Sequence, residues 1–501
     1  MEKEIIIFHT NDMYGRLSTH DDEEISIGID KISKVVNKSL LKNKNTFWFD
    51  AGDLVHGTPR MTYGSKDSLV ETLNSTHLNA LVTGNHEFNY SLDYLYKLSR
   101  ELNAFILLAN SIDKNTKCPV LLPYVIYSVD LNQNDYLDIS GNSNDSQLDN
   151  IKIGLFGLAT PETAYKANPN NVKDIEFKNP IEVAKNIVKL LRNSCDIVIA
   201  LTHLGLDNSS EFTSRRLAEE VEGIDLIIDG HSHTELPEGL KINNSVIVQT
   251  GSHGKNLGKV TLSITNRQIT DIFVELLNKS QVNKIINTPD SYIQDRLKII
   301  DEYTNLTLNN KVAYLPKDLS GDRQLVRREE SELGNLVADA YKWKTKADLA
   351  VNNGGTLRTG LFKGDLSYRD LISVFPFRSS VQKARVKGSV IKEVLEHSVF
   401  SYPAAFGGFL TVSKGITFEF NPEKPIGNKV SNIVINGEKL DFDREYTLAS
   451  TDFLFVGGDD YSMLIDLEVL EDVGKCERVV IEYLNEVGLG NIEVSRMKVI
   501  E

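Results

Sequence analysis

The chain has 501 residues, 41% of them hydrophobic, with 70 acidic against 55 basic side chains and a formal charge of -15 at pH 7. That length is too great for one ordinary core and implies about two or three domains. The acidic balance disfavours an extended surface for phosphate backbones, so polymeric nucleic acid is not an expected partner.

Residues up to about 275 alternate short apolar runs with helical stretches. Ile5–Phe8, Phe47–Phe49, Leu81–Val82, Ile197–Leu201 and Leu226–Ile228 are expected strands, and Ile29–Ser39, Lys66–Asn74, Leu92–Glu101, Ile181–Leu191 and Ser209–Glu222 expected helices. This alternation is that of a layered α/β domain. Asn132–Asp149 is poor in apolar residues and rich in Asn, Asp and Ser, as in a hairpin connection or surface insertion. From Pro289 to Asn309, Ile293, Leu297, Ile300 and Tyr303 recur at helical spacing and predict a connecting helix, a hinge as well as a tether. Strand-like runs resume at Leu349–Val351, Gly415–Phe420, Val430–Ile435 and Tyr446–Ala449. The expected partition is therefore a domain over 1–288, a helix over 289–309 and a second domain over 310–501.

Three scattered cysteines, Cys118, Cys195 and Cys476, argue against a disulfide framework. No apolar run approaches 18 residues, so no membrane partner is expected. The start shows no signal-peptide pattern, which makes the sequence as written cytoplasmic; a trimmed mature form would be secreted or at the cell surface.

Each strand-like run in the first half is followed by a polar motif. Asp12 lies in HTNDMYG, Asp53 in GDLVHG, Asn85 and His86 in GNHEF, His203 in LTHLG, and His231 and His233 in GHSH. Ligands at the carboxyl ends of several strands converge on one sheet edge, where α/β enzymes place their sites. Taken singly, a GD pair is usually a turn and an NH pair a loop. In this order they form the ligand set of a dinuclear metal centre: Asp53 bridges two cations, Asn85 supplies a neutral oxygen, and His86 lies beside the site. His231 and His233, two apart on an extended segment, are expected on one side. Such a pair of ions activates water for attack on phosphorus, which makes the chain a metal-dependent phosphoesterase. The other histidines are expected in ordinary roles: His9 in or near the core, and His20, His77 and His397 on the surface or in packing. His56 and His253 sit in loops that can reach the site, but packing is the expected role of both.

These motifs resemble the calcineurin-like metallophosphoesterases, and specifically the bacterial 5'-nucleotidase family, over nearly the whole chain. The resemblance implies a four-layer α/β/β/α sandwich followed by a smaller α/β substrate-binding domain. It implies two divalent ions from among Zn, Mn, Mg and Co, with a mixed centre containing Fe as a variant. Asp53 would bridge both; Asp12 and His233 would serve one site, and Asn85, His203 and His231 the other. His86 would stabilise the transition state or protonate the leaving oxygen.

The chain departs from the family pattern twice. Tyr14 stands where the first motif usually has a histidine ligand, and Asn89 replaces the carboxylate expected to orient His86. An amide can hydrogen-bond the ring but offers no charge to favour imidazolium, so His86 is expected to be a poorer proton donor. Three accounts of Tyr14 stand side by side: it packs nearby while water completes the ligand shell; its phenolate binds a hard trivalent ion such as ferric iron; or the first site is empty and catalysis is lost or diverted.

In the second half, RREESELGNLVADA has a helix start and VNNGGTLRTG a glycine-rich turn. By the same resemblance Arg327 and Arg358 would clamp phosphate, with Asn353 beside them. Phe377 and Phe453 would sandwich a nucleobase, Asp459 would accept from ribose hydroxyls, and Gly415 would let backbone approach the base. Closure about the connecting helix would carry phosphate to the metals. The expected activity is release of phosphate from nucleoside 5'-monophosphates or related nucleotides. The alternatives are the same centre acting on cyclic nucleotides, nucleotide sugars or general phosphomonoesters, and a nucleotide-binding protein with impaired turnover. The sequence leaves oligomeric state undecided.

Overall fold

A computed structural model describes residues 3–21, 25–131, 136–138, 150–167, 169–208, 210–377 and 379–500. The chain divides into two compact units, Met1–Asn305 and Leu306–Glu501. None of its described helices is long and apolar enough to cross a membrane.

Two sheets form the middle of the first unit. One has the order Gln268–Asn278, Asn256–Thr265, Lys3–Thr10, Thr46–Asp50, Ala80–Val82, Phe105–Leu107; the other runs Leu240–Ile242, Ser245–Val248, Leu226–Ile228, Ile197–His203, Asn150–Ala159, Tyr124–Asp130, Tyr136–Asp138. Successive side chains of a strand point to opposite faces, and here both faces are apolar because both are covered. Ile5, Ile7, Phe47, Phe49, Ala80 and Val82 enter one core with Ile197, Ile199, Leu201, Leu226 and Ile228 of the other sheet. Phe8, Trp48 and Leu81, on the opposite face, pack instead with Ile32, Val36, Leu69, Leu73, Leu95 and Leu98 of the helices Ile29–Leu40, Lys66–Asn74 and Leu92–Glu101. Val198, Ala200 and Ile227 pack with Ile181, Val188 and Leu217 of the helices Pro180–Arg192 and Ser214–Glu220. Helix, sheet, sheet, helix: the expected four-layer sandwich is present.

The helix expected over Ser209–Glu222 is shorter. It begins at Ser214 because the Thr213 side chain accepts from Arg216 N and caps it there; Ser209 lies outside the described residues, as does most of Asn132–Asp149. The helix Ser291–Asn309 buries Ile293, Leu297 and Ile300 in the first unit's core, whereas Tyr303 is 52% exposed. Arg60 grips it through two bonds of 2.7 Å to the Asp301 carboxylate. This helix packs on the first unit up to Asn305 and runs across the boundary into the second.

In the second unit a five-stranded sheet runs Leu410–Val412, Leu349–Asn353, Glu445–Thr451, Ser380–Lys387, Val469–Lys475. The helices Glu332–Thr345 and Cys476–Glu486 cover one face, and Gly388–Ser398 with a small second sheet covers the other.

His9 belongs to the core. It pairs with Gly258 on the adjacent strand, and a Cβ on that glycine would lie 2.0 Å from His9 Nε2. Neither ring nitrogen has a partner, and burial pushes the imidazole down to about 3. The unfolded chain takes up this proton near 6.5, so stability is full above that pH and falls as acid is added. Between pH 6.5 and about 5, His9→Phe should remove about 2 kcal/mol of the acid-induced loss, measured by urea unfolding of both proteins side by side.

Candidate metal centre

The strands Lys3–Thr10, Thr46–Asp50 and Ala80–Val82 are mutually parallel, as are Asn150–Ala159, Ile197–His203 and Leu226–Ile228. Their carboxyl ends deliver the motif loops to one edge. The buried Glu87 carboxylate ties two of those loops together, accepting from Gly84 N at 2.7 Å, Leu54 N at 2.9 Å, Asp53 N at 3.0 Å and Val55 N at 3.2 Å. Space fixes the glycines: a Cβ on Gly84 would lie 2.1 Å from Asp53 Oδ1, and one on Gly230 would lie 3.0 Å from Asp12 Oδ2.

Asp12, Asp53 and His203, all buried, bring ligand atoms within 4.8 Å of one another. Asp53 Oδ1 accepts from His86 N at 2.9 Å, while Oδ2 has no hydrogen-bond partner and faces His203 Nε2 at 3.4 Å. His203 Nδ1 donates to Ala51 O at 2.7 Å, which leaves Nε2 as the nitrogen turned toward Asp53. Asn85 Oδ1 is likewise buried without a partner. Burial opposes the charge on Asp53, yet His203 and His86 outweigh it and hold the carboxyl below its ordinary range. Burial also opposes charge on His203, but Asp53 and then Asp12 push it up to about 10. The pocket demands positive charge between these side chains. A carboxylate oxygen, an amide oxygen and an imidazole nitrogen, all buried and unsatisfied, fit a divalent cation.

His231 and His233 both reach the centre, but not from an extended segment. Their φ values are 78° and 54°, so the backbone curls and separates the rings. His231 packs against His203 with ring centroids 5.0 Å apart, donates its backbone N–H to Asp12 Oδ2 at 2.9 Å, and has Nε2 3.6 Å from Glu162 Oε2. His233 turns to Asp12, with Nε2 3.4 Å from Oδ1, and side-chain contact with Asp12 raises its pKa. Asp12, Tyr14, Asp53 and His253 also have positive φ, an uncommon conformation for side-chain-bearing residues that gathers here at one site.

The Tyr14 hydroxyl stands between the expected first-site ligands, 3.1 Å from Asp12 Oδ1 and 2.8 Å from His233 Nε2. Burial, then Asp53 and Asp12, push the phenol far above its usual range, so it stays neutral unless a cation offsets those carboxylates. His253, expected in packing, lies 5.2 Å from the Tyr14 ring, with its backbone N–H on Asp12 O at 2.8 Å. Asn89 does hold His86: its Nδ2 lies 2.7 Å from Nδ1, which places the ring proton on Nε2. His56 is stacked on the same ring at 4.4 Å.

In the second unit, Arg327 Nε is buried without a partner. Burial, then Arg323 and Arg358, push Arg327 below the ordinary guanidinium range. Arg323 went unnoticed in the sequence, although it stands four residues before Arg327, one helical turn away. Arg358 lies over the Phe377 ring at 5.2 Å, and Asn353 Nδ2 donates to Asp459 Oδ2 at 2.8 Å. Phe377 and Phe453 are 62% and 43% exposed, and Phe453 fills the space beside Gly458. His397 Nε2 meets Asp459 O at 2.9 Å and its ring packs on Tyr461. Gly415 does not join this group. It lies in a turn with φ 96° whose carbonyl accepts from Asn436 N, and Asn436 Nδ2 reaches Asp348 O, at the opposite end of the strand from Asn353. That is roughly 16 Å away at strand spacing. The glycines beside Asp459 are Gly407 and Gly408.

The sequence matches the model of the calcineurin-like phosphoesterases over residues 5–235 and that of the 5'-nucleotidase C-terminal domain over residues 311–466. It is 28% identical to the 5'-nucleotidase of Vibrio cholerae over 93% of this chain and 89% of that protein. It is also 28% identical to the trifunctional nucleotide phosphoesterase YfkN of Bacillus subtilis over 97% of this chain, but spans only 34% of that longer protein. A Staphylococcus aureus crystal structure containing alpha-ketoglutarate superposes with a TM-score of 0.68 at 23% identity, covering 99% of this chain and all of that one, a likeness of fold.

Gly84→Ala should push Asp53 out of place in a protein that still folds. Elemental analysis after purification should find divalent metal reduced about tenfold or more relative to wild type, with little change in the thermal transition measured after chelation.

Proposed function

The chain belongs to the 5'-nucleotidase family, and we propose that it is a metal-dependent hydrolase releasing phosphate from nucleoside 5'-monophosphates or related nucleotides. The observation that supports this most is the set of buried atoms with no hydrogen-bond partner, Asp53 Oδ2, Asn85 Oδ1 and His203 Nε2, on loops tied together by Glu87. Asn85, His203 and His231 would hold one ion and Asp12 and His233 the other, with Asp53 shared. Divalent ions at such a centre supply an activated water and offset charge on the phosphoryl oxygens.

The chain's own residues do the rest. His86, with Asn89 on Nδ1, directs its Nε2–H into the site, 4.0 Å from Asp53 Oδ2. From there it can donate a hydrogen bond to a phosphoryl or leaving oxygen. Arg323, Arg327 and Arg358 would bind phosphate, Phe377 and Phe453 would hold the base, and Asp459, fixed by Asn353, would accept from the ribose. The work divides between a catalytic domain over 1–288 and a substrate-binding domain over 310–501.

A second reading rests on Tyr14. While its hydroxyl accepts from His233 Nε2 and donates to Asp12, both side chains are engaged with Tyr14 and would have to leave it to hold an ion. A chain in which that engagement persists would bind nucleotide without turnover. Phosphate release from a nucleotide panel with Mn, Mg, Zn, Co or Fe decides between them: the hydrolase reading expects release, and nucleotide binding with no release under any metal overturns it. Tyr14→His with Asn89→Asp should raise kcat/KM about tenfold or more; a fall would mean the centre is tuned to the residues it has.

A further inference from the structure

His86 is the side chain on which the proposed reaction turns, and Asn89 gives it one neutral hydrogen bond. A single bond to Nδ1 fixes a point of the ring and leaves its plane free to tilt about that contact. Two further contacts remove this freedom. The His56 ring lies face to face on His86, with centroids 4.4 Å apart and planes 12° from parallel. Tyr14 meets it edge-on at 5.6 Å and 77°.

The stack is built into the fold. Glu87, the residue after His86, accepts from the backbone of Asp53, Leu54 and Val55, which leads directly into His56. One buried carboxylate therefore sets the spacing of the loops that carry the two rings. The next residue, Gly57, has φ 98° and turns the chain against Tyr14, where an added Cβ would lie 2.9 Å from Tyr14 Cβ. His56, Tyr14 and Asn89 thus meet a single imidazole through a face-to-face stack, a T-shaped contact and a bond to one nitrogen.

We infer that His56 is a positioning residue that fixes the plane of His86 by stacking, in a chain where the partner on Nδ1 carries no charge. The inference rests on the proposed hydrolase reading for its catalytic consequence, while its structural content concerns the His86 ring alone. Aromatic neighbours in such geometry restrain each other by an amount worth about two- to tenfold in a rate that depends on orientation.

The test uses the whole 501-residue chain with isotope-labelled histidine. In His56→Ala the ring-proton signals of His86 should move downfield as the neighbouring ring current is lost, and broaden as the ring gains freedom. His56→Phe, which stacks without a titratable nitrogen, should restore narrow lines. With nucleotide as substrate, His56→Ala should lower kcat about two- to tenfold at nearly unchanged KM, and His56→Phe should recover most of it. Unmoved His86 signals in His56→Ala, or a phenylalanine variant as impaired as the alanine one, would overturn the inference. The ring signals need no turnover, so a wild-type protein that releases no phosphate while those signals respond would sink the hydrolase reading and uphold the stack.

Discussion

A carboxylate withdrawn from water is tolerable only where positive charge faces it, and Asp53 is held in that condition by the first unit. One oxygen is satisfied by the His86 backbone and the other is left without a partner, turned toward His203. His203 answers that charge, being driven toward protonation, while Asn85 adds a second oxygen without a partner. Behind the loop, burial and then Asp53 push the Glu87 carboxyl above its ordinary range. Such a concentration of ligand atoms is costly in a cation-free core and favourable around divalent metal.

The second unit poses the opposite demand. Three arginines crowd one another beside an exposed phenylalanine and an aspartate held by an asparagine. On the proposed function these groups would receive the phosphate, base and ribose of a nucleotide.

The layers of the fold were legible because alternation is a local property. Ile5, Ile7 and Phe8, or Phe47, Trp48 and Phe49, announce by spacing alone which side each faces. Motif order likewise pointed to the side chains that gather at the sheet edge, since each follows a strand. Backbone curvature was not legible: GHSH was expected to be extended, and only its positive φ values show how two histidines two apart come to serve different partners. Gly415 misled for a related reason, since a glycine required by a turn looks the same in sequence as one that makes room for a ligand. Glu87 stood inside the GNHEF motif yet drew no notice, because its role is to bind four backbone amides contributed by two loops. His56 and His253 were discounted as packing residues because sequence carries no information on which loop leans over which ring.

The left-handed conformations of Asp12, Tyr14, Asp53, His231, His233 and His253 have a wider consequence. Each such residue costs on the order of 1–3 kcal/mol that its own contacts do not return. The core between the two sheets, where Ile199 and Phe49 are buried, must offset that cost and so sustains the angles of the loops at its edge. Damage to that core should therefore appear in two stages, first as ligands that relax and drift while the sandwich persists, and only then as unfolding. Ageing or heat-stressed protein would lose its chemistry well before its shape.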